Sequence, residues 1–361
     1  MSLSQLKNKL RPIEPITFLA INFKKLIHSS CRHELRGIVS FVSHETSKSK
    51  LAVYWDMLVK CFSSCALYRE YNSFQMYKRP LTKIRLFFTY GRAAYVIREM
   101  KSPQSEKIFN NKPIFNKVFA KFIKRDWIYI TKEPSSQEFE SFLQKHPVFV
   151  AKPPRENQGQ GVWLVDSAQY PSKAALFVTL LQKGTTLLEE RIYNHKDLDK
   201  FSSTSLNTIR IITLRLPDGI KIIRAFLKFN LSGAITDNSH ELSFYCPLDF
   251  DTGEIIGNVV DQNTKEDYGE MHPSGFRALG QKIPYWDEAV NLAKECTLFL
   301  DDVYLGPFDI AITDEGPIII EGNNVPSFGF QSSMNYPINP YMQLARKFAL
   351  ANKRSKNRNT D

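Results

Sequence analysis

The chain has 361 residues, 43% hydrophobic and 24% charged, which is enough for two or three domains with substantial cores. That composition excludes a disordered or fibrous chain, and no run of about 18 apolar residues marks a membrane span. The net charge of +11 is uneven, with 24 Lys and Arg against 7 Asp and Glu in residues 1–125 and 24 against 30 in the remainder.

No apolar segment follows Met1-Ser-Leu-Ser-Gln-Leu-Lys, so no secretory signal is read there. Cys31, Cys61, Cys65, Cys246 and Cys296 are odd in number and scattered. They suit reduced structural thiols better than a zinc site, and with the missing signal they point to a cytoplasmic protein. Up to about residue 105 the chain reads as helical. Leu51 to Phe62 and Leu81 to Phe88 repeat apolar residues at three- and four-residue steps. This basic front end suits an anionic membrane leaflet, a glycan or another acidic partner, or it is a solvated surface. It holds no RNP aromatics, C2H2 spacing or helix-turn-helix, so no nucleic acid is expected.

Ser102-Pro103-Gln104-Ser105 is a polar break, followed by a predicted helix from Pro113 to Lys124. From residue 147 short strands take over. Val148 to Lys152 and Gly161 to Asp166 read as a hairpin around a loop from Pro153 to Gly161, before a helix over Ser172–Gln182 and a strand over Thr186–Glu190. The longest strands, Thr208–Arg215 and Lys221–Phe229, flank the turn residues Pro217-Asp218-Gly219. Trp286 to Leu300 is an amphipathic helix, and the polar stretch from Lys353 to Asp361 reads as a disordered tail.

Two segments carry chemistry. In Phe308-Asp309-Ile-Ala-Ile-Thr-Asp-Glu-Gly-Pro-Ile-Ile-Ile-Glu321-Gly-Asn323, a three-residue turn at Asp314-Glu315-Gly316 would pair Thr313 with Pro317 and set Asp309 opposite Glu321. Asn323 would share the face of Glu321. Facing carboxylates repel, so a pair set among isoleucines suggests a cation between them, and oxygen ligands with one amide suit Mg2+. Two solvated acids are the alternative. In the second segment Lys152 ends a strand ahead of a loop with Arg155, Gly159 and Gly161, where backbone N–H groups can approach phosphate oxygens. The loop is neither a Walker A nor a dinucleotide fingerprint, and taken alone such a hairpin is more often a plain turn. Leu187-Leu-Glu189-Glu190-Arg-Ile192 is an apolar run ending in acids, suited to reading an adenine edge or to an ordinary strand end. Arg210, on a core strand, is expensive unless paired, either with phosphate or with a neighbouring acid.

The order Lys112, Lys152 with its glycine loop, Glu189-Glu190, then Asp309 and Glu321-Gly-Asn323 resembles the ATP-grasp superfamily, and within it the sugar-transfer-associated ATP-grasp family. Asn111-Lys112-Pro-Ile-Phe115, Arg125-Asp-Trp127, Phe149-Val-Ala-Lys152-Pro, Asn207-Thr208-Ile-Arg210 and His272-Pro-Ser-Gly carry the likeness too, over residues 65 to 340. Where the family usually shows Gly-Gly after Asp-Asn, this chain has Ser-His after Asp237-Asn238. The resemblance implies an α+β ATP-grasp fold, with two α+β lobes holding ATP between them behind a mainly helical basic region. The expected boundaries are 1–105 for that region, 106–200 for the small lobe, 201–345 for the large lobe and 346–361 for a polar tail. It further implies that Lys112 and Lys152 meet the ATP phosphates under the loop of Arg155, Gly159 and Gly161. Glu189, Glu190 and Ile192 line the adenine pocket, Asp309, Glu321 and Asn323 bind Mg2+, and Arg210 with Lys152 acts on the transferred phosphoryl group. The implied reaction joins a carboxylate, such as a sugar acid, to an amine through an acyl phosphate, in glycan or polysaccharide assembly. Phosphate transfer to a sugar or hydroxyl, and a non-enzymatic module binding anionic glycan or membrane, are the alternatives. His195 and His272 are candidate bases or plain structural histidines.

Overall fold

The computed structural model describes residues 29–130, 136–155, 159–237, 241–264, 266–324, 326, 328, 331 and 336–358. The chain divides into two compact units, Met1–Lys101 with Ser327–Asp361, and Ser102–Pro326.

Among its described residues the first unit is helical: α1 (Ser29–Thr46), α2 (Lys50–Ser64), α3 (Tyr68–Ser73), α4 (Leu81–Ile84) and α5 (Tyr90–Met100). The Ser49 hydroxyl caps α2 by accepting from the Ala52 N–H, and Cys65 ends it in the left-handed conformation. Val53, Met57 and Cys61, one face of α2, pack on Val39, Val42, Tyr71 and Phe74. The apolar run expected to stay helical to Phe88 stops at Ile84. The Arg92 guanidinium donates to the carbonyls of Arg85 and Phe87, both at 2.8 Å, and Phe87 and Phe88 turn inward.

The expected tail from 346 is corrected by the structure. A helix runs Asn339–Arg358 and packs on α5. Met342, Ala345 and Ala349 form its buried stripe, Arg346 Nε donates to Glu99 at 2.5 Å, and Lys353 Nζ donates to the Glu99 and Lys101 carbonyls at 2.6 and 2.8 Å. A stripe of two small alanines in a charged segment is a weak sequence signal, and the neighbouring helix supplies what the segment lacks.

The second unit opens with α6 (Pro103–Phe109), α7 (Lys112–Val118) and α8 (Ala120–Ile123). The single helix expected to Lys124 turns at Phe119, whose buried ring packs against Phe115 and Phe308. Strands β1 (Trp127–Tyr129), β2 (Val148–Lys152), β3 (Trp163–Asp166) and β4 (Leu187–Glu190) form an antiparallel sheet in the order β1-β4-β2-β3. Its core of Phe149, Val165 and Leu188 is shared with helices α9 (Ser136–Lys145) and α10 (Lys173–Gln182). Strands β5 (Thr208–Leu216), β6 (Gly219–Asn230), β7 (Ser243–Pro247), β8 (Val260–Asp261), β9 (Leu305–Thr313) and β10 (Gly316–Gly322) form the larger sheet, in the order β10-β9-β5-β6-β7-β8, with α11 (Trp286–Phe299) on one face.

The β9–β10 hairpin differs from expectation in its turn and agrees in its consequence. Gly316, at φ 105°, pairs with Thr313, so the turn holds two residues instead of three. That register alone would leave Asp309 facing Ile320. A bulge between Ile319 and Glu321 absorbs one residue, and Asp309 pairs with Glu321.

Candidate active site

The larger sheet sets a buried charge cluster in register. Thr208 pairs with Lys228, Arg210 with Phe226 on one side and Asp309 on the other. Asp309 is 1% exposed. Arg210 grips it as a fork, Nε at 2.6 Å from Oδ1 and Nη2 on Oδ2. Lys228 Nζ lies 3.5 Å from Asp309 and 3.1 Å from Asp237, whose carboxylate also accepts from the Thr208 hydroxyl. Asn323 Nδ2 stands 3.4 Å from Asp309 Oδ2. Burial pushes the Asp309 carboxyl up, but the Arg210 and Lys228 charges outweigh it and hold the group well below the usual carboxylate range.

The smaller sheet carries a parallel arrangement. Glu189, 3% exposed, accepts from Lys152 Nζ at 2.5 Å, Arg125 Nη2 at 2.9 Å and Asn116 Nδ2 at 2.8 Å. Burial opposes its charge, yet Arg125 and then Lys152 keep its carboxyl well below the ordinary value. Arg125 also donates to the carbonyls of Ile319 at 2.5 Å and Ile320 at 2.9 Å, the bulge that aligns Glu321 with Asp309. One buried guanidinium therefore ties Glu189 of β4, which also holds Lys152, to the acidic hairpin.

Between these groups lies a cleft of about 240 Å³ whose lining includes Lys112, Lys152, Gly159, Glu190, Ile192, Asp309 and Glu321. Lys112 Nζ stands 3.9 Å from Glu321 Oε2. Gly161, at φ 71°, has Pro153 so close that an added Cβ would sit 2.8 Å from Cγ, so this corner of the loop requires glycine. Gly322 is equally constrained, because a Cβ there would meet the Phe109 ring at 2.5 Å.

Arg155 and Gly161 stand outside the cleft lining, and residues 156–158 of the loop lie outside the described residues. The Glu189 carboxylate is held by three donors, and Glu190 Oε2 accepts from the Asp126 N–H at 2.9 Å. Glu189, Glu190 and Ile192, the residues expected at the adenine, all line the cleft. Arg210 is committed to Asp309, which is the structural pairing weighed as its alternative. His272 is a core residue: it stacks on Phe229 and Phe276 with centroids at 4.8 and 4.5 Å, and burial lowers its pKa. His195 is 8% exposed and, like His272, lines none of the cleft. Lys228 and Arg125 were given no role from sequence. For Lys228 the signal is present in the sequence: a lysine inside the apolar strand Ala225-Phe-Leu-Lys-Phe is as expensive unless paired as Arg210 is.

Beyond this geometry, the profile of the sugar-transfer associated ATP-grasp family matches residues 91–337, and the chain belongs to that family. No curated protein matches its sequence. Among solved structures it is similar to D-alanine–D-alanine ligase from Bacillus anthracis complexed with ATP, at 14% identity over 71% of each chain with a TM-score of 0.42. It is also similar to D-alanyl-alanine synthetase A from Vibrio cholerae, at 10% identity over 70% of this chain and 68% of that one with a TM-score of 0.44. A third is N5-carboxyaminoimidazole synthase from Aspergillus clavatus in complex with ADP and 5-aminoimidazole ribonucleotide, at 9% identity over 68% and 54% with a TM-score of 0.42.

The residues expected to hold Mg2+ fit it in donor chemistry. Asp309 and Glu321 face each other across the ladder, Asn323 adds an amide, and all are hard oxygen donors. The fit has a condition. Both Asp309 oxygens already accept from Arg210, so a cation there shares this carboxylate with the guanidinium or displaces it.

Proposed function

We propose that the chain is an ATP-dependent carboxylate–amine ligase. The observation that carries this is the convergence, on one cleft, of two lysines and an acidic strand pair. In this reading Lys112 and Lys152 meet the phosphates, the backbone at Ile192 edges the adenine, and Gly159 lets the loop approach the phosphate oxygens. Asp309, Glu321 and Asn323 would hold Mg2+, which supplies charge neutralisation on the phosphates when bound. A carboxylate oxygen of the substrate attacks the γ-phosphorus in line. The bond to the β-phosphate oxygen breaks, ADP departs and an acyl phosphate forms. The amine nitrogen then attacks the acyl carbon, phosphate leaves with the C–O electron pair, and the surplus amine proton passes to solvent. Arg210 would offset charge on the transferred group if a cation took its place on Asp309. The chain's contribution is positioning and charge compensation.

The family's sugar-transfer association supports a sugar acid as the carboxylate and a role in polysaccharide assembly, carried out in the cytoplasm. The basic helical region would meet an anionic membrane or glycan, and the surface of α2 bears on which of the two it is. The test is ADP release across a panel of sugar acids and amines. Release that needs both partners supports the ligase. Release with a hydroxylated sugar alone, without amide product, replaces it with a kinase.

A further inference from the structure

Helix α2 is apolar on two opposite faces, and the fold uses only one. Val53, Met57 and Cys61 enter the core of the helical unit. Round the other side Leu51, Trp55, Leu58 and Phe62 follow at steps of four, three and four, and they are 79, 69, 60 and 46% exposed. Large apolar side chains exposed in a continuous helical stripe mark an interaction surface, whereas scattered ones do not.

The charge around the stripe narrows the partner. Residues 29–101 hold 13 Lys and Arg against 5 Asp and Glu. The acids are already engaged: Glu34 with Arg69, Glu45 with Lys78, Asp56 with Lys60, Glu99 with Arg346, and Glu70 with the Leu67 and Tyr90 N–H groups. Lys48 and Lys50 stand exposed at the start of α2, and Lys83 and Arg85 are exposed on and just after α4, which packs against it. A second copy would bring this cationic surface against itself. An acidic polysaccharide would answer the charge but offers no hydrocarbon to the stripe. An anionic phospholipid surface answers both, with Trp, Leu and Phe in the headgroup–acyl boundary and lysines at the phosphates.

We propose that α2 is a membrane-docking helix that seats the protein on an anionic lipid surface through Leu51, Trp55, Leu58 and Phe62. This stands apart from the ligase reading and does not depend on it.

The experiment is sedimentation of the full chain with vesicles of phosphatidylcholine alone, or with about 30 mol% phosphatidylglycerol, at about 0.1 M salt. The expected result is binding to the anionic vesicles at least about tenfold tighter than to the neutral ones, weakening as salt rises. Leu58→Glu and Trp55→Ser should each weaken it about tenfold or more while the thermal midpoint and circular dichroism stay unchanged, since both side chains point away from the core. Lack of vesicle binding overturns the proposal. So do variants that bind vesicles as the parent does, equal or tighter binding to an acidic polysaccharide, or a dimer by light scattering that the same variants dissociate.

Discussion

Two carboxylates in the larger unit live in nearly the same electrostatic setting and differ in what faces them across the sheet. Glu189 and Asp309 are each almost fully buried, and each faces an arginine and a lysine. Around Glu189 the donors come from three directions, and Arg125 continues on to the carbonyls of the neighbouring hairpin. Its acid has no acidic neighbour across the sheet, since β4 sets Trp127 and Val150 beside it. Asp309 instead faces a second carboxylate, Glu321, across a bulged ladder that opens on the cleft. Each acid has two cations, and in the proposed reading the second carboxylate facing Asp309 adds a place for an exchangeable cation. The surroundings on the next strand, more than the pKa of either group, separate the two.

Breaking the exposed half of that contrast should have the largest effect on turnover. Glu321→Gln removes one facing carboxylate whose side chain is 28% exposed. It should cut ADP release by about a thousandfold with little change in denaturant midpoint, as expected for lost preorganised charge at the transferring phosphate. Retention of normal turnover would remove the cation site from the reading. Asp309→Asn should lose turnover equally and also stability, about 3–5 kcal/mol, because Arg210 and Lys228 then lack a buried counter-charge; urea titration measures this.

Arg125→Met tests the scaffold. About 3–5 kcal/mol should be lost as Glu189 is left partly uncompensated, and adding Glu189→Met should restore part of it. A single variant as stable as the parent would sever the link between the lysine strand and the bulge. Acid offers a gentler probe of the same knot. The folded Glu189 carboxyl titrates below its ordinary 4.5, so above that value its charge contributes full stability. The unfolded chain binds more protons as pH falls below it, and stability drops from there downward. Urea midpoints measured from pH 6 to pH 3 should therefore decline, and less steeply in the doubly substituted protein. The smallest expected effect is that of His272→Phe, which fills the same aromatic stack. It should leave the pH profile of ADP release unmoved, and a displaced limb would return His272 to the list of catalytic bases.

The amount of this legible in the sequence differed by feature. The facing of Asp309 and Glu321 was read correctly although the turn was not: a three-residue turn in a regular ladder and a two-residue turn with a bulge give the same pairing. The helix after residue 339 was missed because its buried stripe is mostly alanine. Arg125 was quoted only as part of a likeness, and its function depends on residues nearly 200 positions later.

Sequence by itself determined the elements whose signal is local: the long strands β5 and β6 about Pro217-Asp218-Gly219, the helical period of α2, and the acids and amide of the hairpin. Tertiary structure alone decided which charges meet. Lys228 finds Asp237 and Asp309, Glu189 gathers Asn116, Arg125 and Lys152, and Arg210 closes on Asp309. Backbone preferences act over a few residues, so periodicity and turns record them in order along the chain. The energy of a buried charge depends on neighbours brought from distant segments, and that arrangement exists only once the strands have been placed side by side.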